Sequence, residues 1–393
     1  MTRRAATFSW KRRAWADWGL ILLFGLLVGL PTLDWFAGLD GAEPPGENRQ
    51  LARKPGFSRW DLLNPQPYLA AAERYFKDHF GFRNSLLFLC QRGKLWLFHE
   101  QGGNSAVRRG LHGWLFYDGD EDLVGNYLCL ARFSDAQLQA WQRLLETRRD
   151  WLAARGVKYL FVVPPDKQDI YPEELPPWLT KAAPPHRQTK LDQLMQYLQA
   201  HSTVAVLDLR PALLAAKTGG PVYLQTDTHW NDRGSFVACR EVVGALAKQL
   251  PGLHPLRSED FFWSNAPAIG GDLARMIGAR PSERNWLAFI PEPGVIMPVV
   301  QSTPETGPAP GIRTMISENP ARSATAVVLH DSFGAKWTPF LGCSFKRIVY
   351  RWAPGLDARV IAENQPQVVI DEMLERLVDS RDPATLLAQD KLP

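Results

Sequence analysis

The sequence predicts an α/β fold: a doubly wound, mostly parallel sheet between two helical layers, behind an N-terminal membrane anchor. Three observations carry this. Short apolar runs, "YLFVV" (159–163), "VAVLDL" (204–209), "TAVVLH" (325–330), "RIVY" (347–350) and "QVVID" (367–371), have the length and the β-branched content of buried strands. Amphipathic stretches lie between them, as they must where parallel strands are joined by crossover helices. The first 33 residues pass from basic to apolar, the pattern of a chain entering a bilayer.

The N-terminus comes first in the chain and explains its charge. Arg3, Arg4, Lys11, Arg12 and Arg13 precede the first acid, Asp17, and these five cations exceed the net charge of +4, so the remainder carries −1. A body with that balance is not a basic nucleic-acid binder. Trp18–Leu33 is an uncharged run of 16 residues, extended by flanking aromatics toward the about 20 that a span needs. A cleavable signal peptide is the rival reading. No Ala-x-Ala site follows the run, which favours an uncleaved signal anchor, and the cationic flank stays on the cytoplasmic side. Either way the body is exported.

The expected boundaries are a cytoplasmic basic tail and signal anchor over 1–37, a Gly/Pro-rich linker over 38–65, and one exported domain over 66–385. Within that domain, 66–99 has helical periodicity and 112–120 reads as a short strand and turn. Ser134 opens a helix with Gln137 three residues on, and Gly156 closes it. Further helices are expected over 186–201 and 232–250, and 251–324 reads as a Pro-rich insertion. Of the four cysteines, Cys90, Cys129, Cys239 and Cys343, none forms C-x-x-C, which disfavours zinc or redox chemistry. Three full disulfide pairings are possible, and buried free thiols are an equal alternative. The 15 tryptophans suit a core or a sugar-stacking cleft.

Two segments fall at predicted strand ends, where open parallel sheets place their working groups. "VVLHDSFGAK" (327–336) ends a buried strand on Asp331 and Ser332. "LQTDTHWND" (224–232) sets Asp227 two residues before His229. In extended chain, residues i and i+2 share a face, so Asp227 is placed to orient the imidazole as a general base. A serine needs such a base to act as a nucleophile at neutral pH, and Ser332 is the candidate. The structural alternatives are capping roles for Asp227 and Ser332, and His330 competes as the base. The other histidines have no comparable setting.

The combination "TDTHWND" and, about a hundred residues later, "HDSFG" resembles the SGNH-hydrolase-like domain of alginate O-acetyltransferases of the AlgJ and AlgX type. "ENRQLARKPGF", "YFKDHFGFRNSL", "GLHGWLFYDGD", "VVPPDKQDIYPEELP", "GGDLARMIG", "FGAKWTPFLGCSFKRIVYRW" and "VVIDEMLERL" extend the likeness over roughly 45–380. His330 departs from it, since the family more often has a small residue or Arg there. The chain ends soon after 380, without room for the carbohydrate-binding module of the AlgX type, so the membrane-anchored AlgJ arrangement is expected.

The resemblance implies a periplasmic O-acetyltransferase, held to the bacterial inner membrane by a single pass. It would acetylate exopolysaccharide hydroxyls through an acetyl-serine on Ser332, with His229 as base and Asp227 orienting it. For the oxyanion, the backbone N–H groups of Ser332 and Phe333 and the side chain of Asn231 are the candidate donors. Lys167, Trp230, Trp337, Arg351 and Trp352 are candidates for the polysaccharide groove. No cofactor is expected: the acetyl donor would come from a membrane-bound O-acyltransferase partner. Two alternatives remain, a carbohydrate acetylesterase on the same three residues and a non-catalytic glycan-binding scaffold of an export complex.

Overall fold

The computed structural model describes residues 7–37, 52–83, 85–86, 106–119, 123–253, 256–279, 282–291, 299–304 and 313–392. Their contacts divide the chain into two units, one of residues 1–103 with 275–279 and one of residues 104–274 with 280–393. In the first, Thr7–Ala37 is one helix, and its segment Asp17–Asp34, of mean hydropathy 1.5, is long and apolar enough to cross a membrane. Trp18, Leu20, Ile21, Leu22, Leu23 and Phe24 point outward from it, as side chains facing lipid would. The helix expected over 66–99 is observed as Gln66–Asp78, and the part from 87 onward lies outside the described residues, as does linker segment 38–51.

The second unit carries the sheet. A small ribbon pairs β1 (Val107–Arg109) with β2 (Leu115–Tyr117) antiparallel. The main sheet contains β3 (Lys158–Val163) and β4 (Val206–Asp208), and another ribbon pairs β5 (Phe261–Ile269) with β6 (Ser282–Pro291). The main sheet is completed by β7 (Val299–Pro304), β8 (Arg313–Glu318), β9 (Thr325–Leu329), β10 (Arg347–Arg351) and β11 (Val368–Glu372). Its order is β4-β3-β11-β9-β10-β8-β7. The five runs expected as strands are β3, β4, β9, β10 and β11, and all pair in parallel.

Segment 251–324 departs from its reading as an insertion. It supplies β5 to β8, and β8 extends the main sheet antiparallel beside β10. Its prolines misled the reading because a proline is tolerated on an edge strand. Pro304 ends β7, which is such an edge.

Both faces of the sheet are covered, as a parallel sheet requires. Along β3, Leu160 and Val162 enter one apolar cluster, while Tyr159, Phe161 and Val163 enter the other. Helix Asp135–Ala153 covers the second face and begins with the expected capping box. The Ser134 hydroxyl accepts from Gln137 N–H, and the Gln137 side chain accepts from Ser134 N–H at 2.9 Å. Its chain reverses at Gly156, whose φ of +72° suits a residue without Cβ. Cys129, Cys239 and Cys343 are free thiols, and Cys90 lies outside the described residues.

Candidate functional site

The parallel strands β3, β9 and β11 end on one edge, and their continuations are tied together there. Met373 N–H donates to Val162 C=O at 3.0 Å and His330 N–H to Arg351 C=O at 3.0 Å. Asp331, the first residue of the turn, is a clip. Its carboxylate accepts Phe333 N–H at 2.8 Å on one oxygen and Leu374 N–H at 2.9 Å on the other, while its own N–H donates to Glu372 at 2.9 Å. Ser332 sits in the middle of this clip, half-buried. Gly334 follows because the backbone passes too close to its neighbours for a side chain. A Cβ there would lie 2.5 Å from His330 Cβ and 2.7 Å from Glu372 Oε2.

Asp227 and His229 behave as their spacing predicts. Asp227 Oδ1 accepts from His229 Nδ1 at 2.7 Å and from His229 N–H at 3.0 Å. Burial acts to raise the Asp227 carboxyl, but the hydrogen bond and charge of His229 more than reverse it, leaving the group well below the usual carboxylate range. The imidazole also packs against Phe333, whose ring centroid is 5.0 Å from that of His229. Because Phe333 adjoins Ser332, this contact brings the two predicted halves together. Ser332 and His229 share no hydrogen bond, which is common where such contacts tighten only around a bound substrate.

A second loop clasps the Asp227 loop. Gly271 N–H donates to Thr226 Oγ1 at 2.9 Å, Asp272 N–H to Asp227 Oδ2 at 3.0 Å, and Thr228 N–H to Asp272 Oδ1 at 2.7 Å. Gly271 is required by proximity, since its Cβ would stand 2.2 Å from Asp227 Cβ. Behind the loop, buried Glu283 accepts from Gln225 N–H at 2.8 Å, Thr226 N–H at 3.1 Å and Thr226 Oγ1 at 2.7 Å. Asp272 and Glu283 were missed by the sequence reading. The only signal for Asp272 was its place in "GGDLARMIG", where two glycines before an acid announce a close backbone approach.

Several predicted site residues are corrected by their surroundings. Lys167 is buried, and its ammonium donates to the carbonyls of Leu115 at 2.6 Å, Gln225 at 2.9 Å and Asp227 at 2.8 Å. Three acceptors match its three N–H bonds, so its ammonium binds β2 to the Asp227 loop and has no N–H left for a sugar, although the residue lines the cleft beside that loop. Burial pushes its pKa down to about 7, against the pull of Asp227, Asp272 and Glu283. Trp230 and Trp337 are 0 % exposed and stack on each other at 6.2 Å in the core, leaving no face for a sugar. Asn231 is a helix cap. Its Oδ1 accepts Gly234 N–H at 3.0 Å and its Nδ2 donates one of its two N–H bonds to Pro221 C=O at 2.9 Å, which holds the side chain at the helix start. Phe333 N–H is taken by Asp331.

Of the other candidates, Ser332 N–H is bound by no group among the described residues. Arg351 ends β10 half-buried, its carbonyl taken by His330, and Trp352 is 43 % exposed with its ring 5.7 Å from that of His330. His330 itself is 4 % exposed with Nδ1 against Asp331 C=O at 2.6 Å, and burial lowers its pKa. That environment suits a packing role rather than a competing base. Beside the Asp227 loop lies a small cleft lined by Tyr117, Asn126, Asp166, Lys167, Thr228 and Arg376 among others.

Asp227, His229 and Asp272 bring three ligand-type atoms within 4.8 Å of one another. The 2.7 Å between Nδ1 and Oδ1 is spaced for a shared proton. Two donors on one zinc ion, each about 2.0–2.2 Å from it, stand farther apart than that.

Comparison with known proteins places the chain in a family. Residues 107–321 match the family described as SGNH hydrolase-like domain, acetyltransferase AlgX. The probable alginate O-acetylase AlgJ of Pseudomonas syringae pv. tomato is 32% identical over 186 residues, which cover 46% of this chain and 43% of that protein. Its counterpart in Pseudomonas aeruginosa is 34% identical over 192 residues, covering 47% and 44%. The chain therefore spans about half the length of the curated relatives it matches. Among solved structures, Bacillus cereus PatB1 shares the fold with a TM-score of 0.51 at 14% identity, covering 72% of this chain and 100% of that one.

Proposed function

The chain belongs to the family of SGNH hydrolase-like, AlgX-type acetyltransferase domains, and on that premise we propose that it transfers acetyl groups to the hydroxyls of an exopolysaccharide. The observation that carries this reading is the Asp227–His229 pair at 2.7 Å, its imidazole against the residue that follows Ser332. Asp227 fixes the proton on Nδ1, which leaves Nε2 to take the proton of Ser332 Oγ. Oγ then attacks the acetyl carbonyl, and the donor's leaving group departs with the proton from His229. A sugar hydroxyl, deprotonated in turn by His229, takes the acetyl group from Ser332. The N–H of Ser332 is available to the oxyanion of both tetrahedral intermediates.

In this reading the chain needs no cofactor of its own. The donor is a membrane-bound O-acyltransferase, because an exported domain has no supply of cytosolic acetyl thioesters. Helix Thr7–Ala37 serves as a single-pass anchor in the inner membrane, with the body in the periplasm. The AlgJ relatives carry the name of an alginate acetylase, which supports a polysaccharide acceptor here.

The test is turnover of a chromogenic acetyl ester, with and without an oligosaccharide acceptor, in wild type, Ser332→Ala and His229→Ala. Turnover absent from both variants, with acetyl groups appearing on the acceptor, is the expected result. Release of free acetate alone would favour a carbohydrate acetylesterase. If the wild-type protein is as inert as its variants yet binds glycan, the scaffold reading replaces this one.

A further inference from the structure

His229 faces more negative charge than a three-residue relay requires. Asp272 Oδ2 lies 3.7 Å from His229 Nδ1, on the side of the ring already taken by Asp227. It is held there: Asp272 Oδ1 accepts Thr228 N–H and Leu273 N–H, each at 2.7 Å, so Oδ2 is the oxygen left toward the imidazole. Its backbone N–H also grips Asp227 Oδ2, which aims Asp227 Oδ1 at the ring.

We propose that Asp272 is a positioning residue for His229, a second carboxylate that fixes the Asp227 loop and strengthens the hold of the imidazole on the proton it takes from Ser332. The proposal rests on the acyl-transfer reading and deepens it. As the bond from Oγ to the acyl carbon forms, the Oγ proton passes to Nε2, and the imidazolium is then met by two carboxylates instead of one. When the leaving group departs it takes that proton, leaving a neutral imidazole beside the acetyl-serine; the site is restored once a sugar hydroxyl has taken the acetyl group and Ser332 Oγ has regained a proton from His229.

The other charged groups near the ring are accounted for. Lys167 lies behind the loop with its ammonium on three carbonyls, including Asp227 C=O. Glu283 is bound to Gln225 and Thr226. On the Ser332 side, Asp331 is engaged by Phe333 and Leu374, Glu372 lies buried behind it, and the Arg376 guanidinium is over the Phe333 ring at 5.9 Å. Asp272 is thus the one carboxylate besides Asp227 paired with the imidazole among the described residues. Burial, and then the charge of Asp227, raise the Asp272 carboxyl above its usual range, so of the two acids it is the first to be neutralised as pH falls.

The test uses the full chain, with Asp272→Asn compared with wild type and with Asp227→Asn. Loss of a charge about 4 Å from the ring should move the acid limb of the ester pH–rate profile about one pH unit toward acid. It should also lower kcat about tenfold with KM nearly unchanged. The His229 ring signals, assigned by NMR through their loss in His229→Ala, should titrate at a pH lower by the same amount. A fall in kcat without movement of either titration would mean that Asp272 only supports the loop, and the proposal would be overturned. Ester turnover lost with Ser332→Ala but unchanged in every respect by Asp272→Asn would keep the acyl-transfer reading and reject this one. If wild type turns over no ester, the function fails, and the NMR titration alone decides for or against Asp272. Should Asp272→Asn not fold, wild type decides: its His229 signals must show a second, weaker inflection where Asp272 takes its proton, and a single smooth titration would reject the proposal.

Discussion

At the scale of single residues, the site depends on carboxylates whose environments push them apart. Asp227 is charged in the folded protein at a pH where the unfolded chain has begun to take up a proton, because its carboxyl is held below the ordinary value of about 3.9. Its stabilisation is therefore complete above about pH 4 and is lost as pH falls toward the folded value. Asp227→Asn should lower the melting temperature at pH 7 and flatten its decline between about pH 4 and 2, read by thermal melts across that range. The same variant should cut ester turnover by about 10³–10⁴, since Asn no longer fixes the tautomer. Asp272 has the opposite sign. Its raised carboxyl costs stability as pH rises through its folded value, so charge at that position opposes the fold.

At the scale of elements, the sheet edge is positioned by polar ties that the strands alone do not provide. Asp331 and Lys167 bind the turns after β9 and before helix Asp232–Ala247 to the rest of the edge. On the opposite face, Arg148 of helix Asp135–Ala153 is fully buried. It donates to Asp371 of β11 at 2.8 Å, to Asp390 at 2.8 Å and to Pro354 C=O at 2.7 Å. Burial works against its charge, but the charge of Asp371 and the Asp390 hydrogen bonds prevail and raise its pKa further. Truncation would leave two carboxylates, 1% and 2% exposed, without a counter-charge. Arg148→Ala should cost about 3–5 kcal/mol in chemical denaturation, with little change in KM for the ester in whatever fraction remains folded. A loss under about 1 kcal/mol would show that water or another cation takes its place.

At the scale of the whole molecule, two kinds of surface meet in one chain. Helix Thr7–Ala37 leaves Leu22 and Phe24 68% and 70% exposed, whereas the sheet unit buries most of the large apolar side chains among its described residues. Without residues 1–37 the remainder has a net charge of +1 and no comparable span among its described residues. The intact chain should sediment with membranes and need detergent for release, while a chain beginning near Glu47 should stay in the soluble fraction and keep the ester turnover of the intact protein. Recovery of the shortened chain only in the pellet would show that the N-terminal segment also protects the fold.

The five parallel strands were legible because apolar runs bounded by turn residues have few other uses, and the Asp227–His229 pair because two residues in extended chain share a face. Ser332 was legible because a strand ending on Asp and Ser, followed by a glycine, needs a reason for each of the three. The sequence by itself thus determined which short segments meet at the candidate site and the α/β fold that presents them. It could not determine what each polar or aromatic side chain touches. Lys167 looked like a groove cation and Trp230 and Trp337 like sugar platforms, yet carbonyls 52 to 60 residues away claim the ammonium of the first, and the core claims the others. Asp272 meets His229 only when a distant loop folds against it, and Gly334 is needed only because Glu372 arrives from another strand. Periodicity reports which face a residue shares with its neighbours in sequence. Only the tertiary structure decides what occupies the space beyond that face, because burial and hydrogen-bond partners are set by chain segments that the local pattern does not contain.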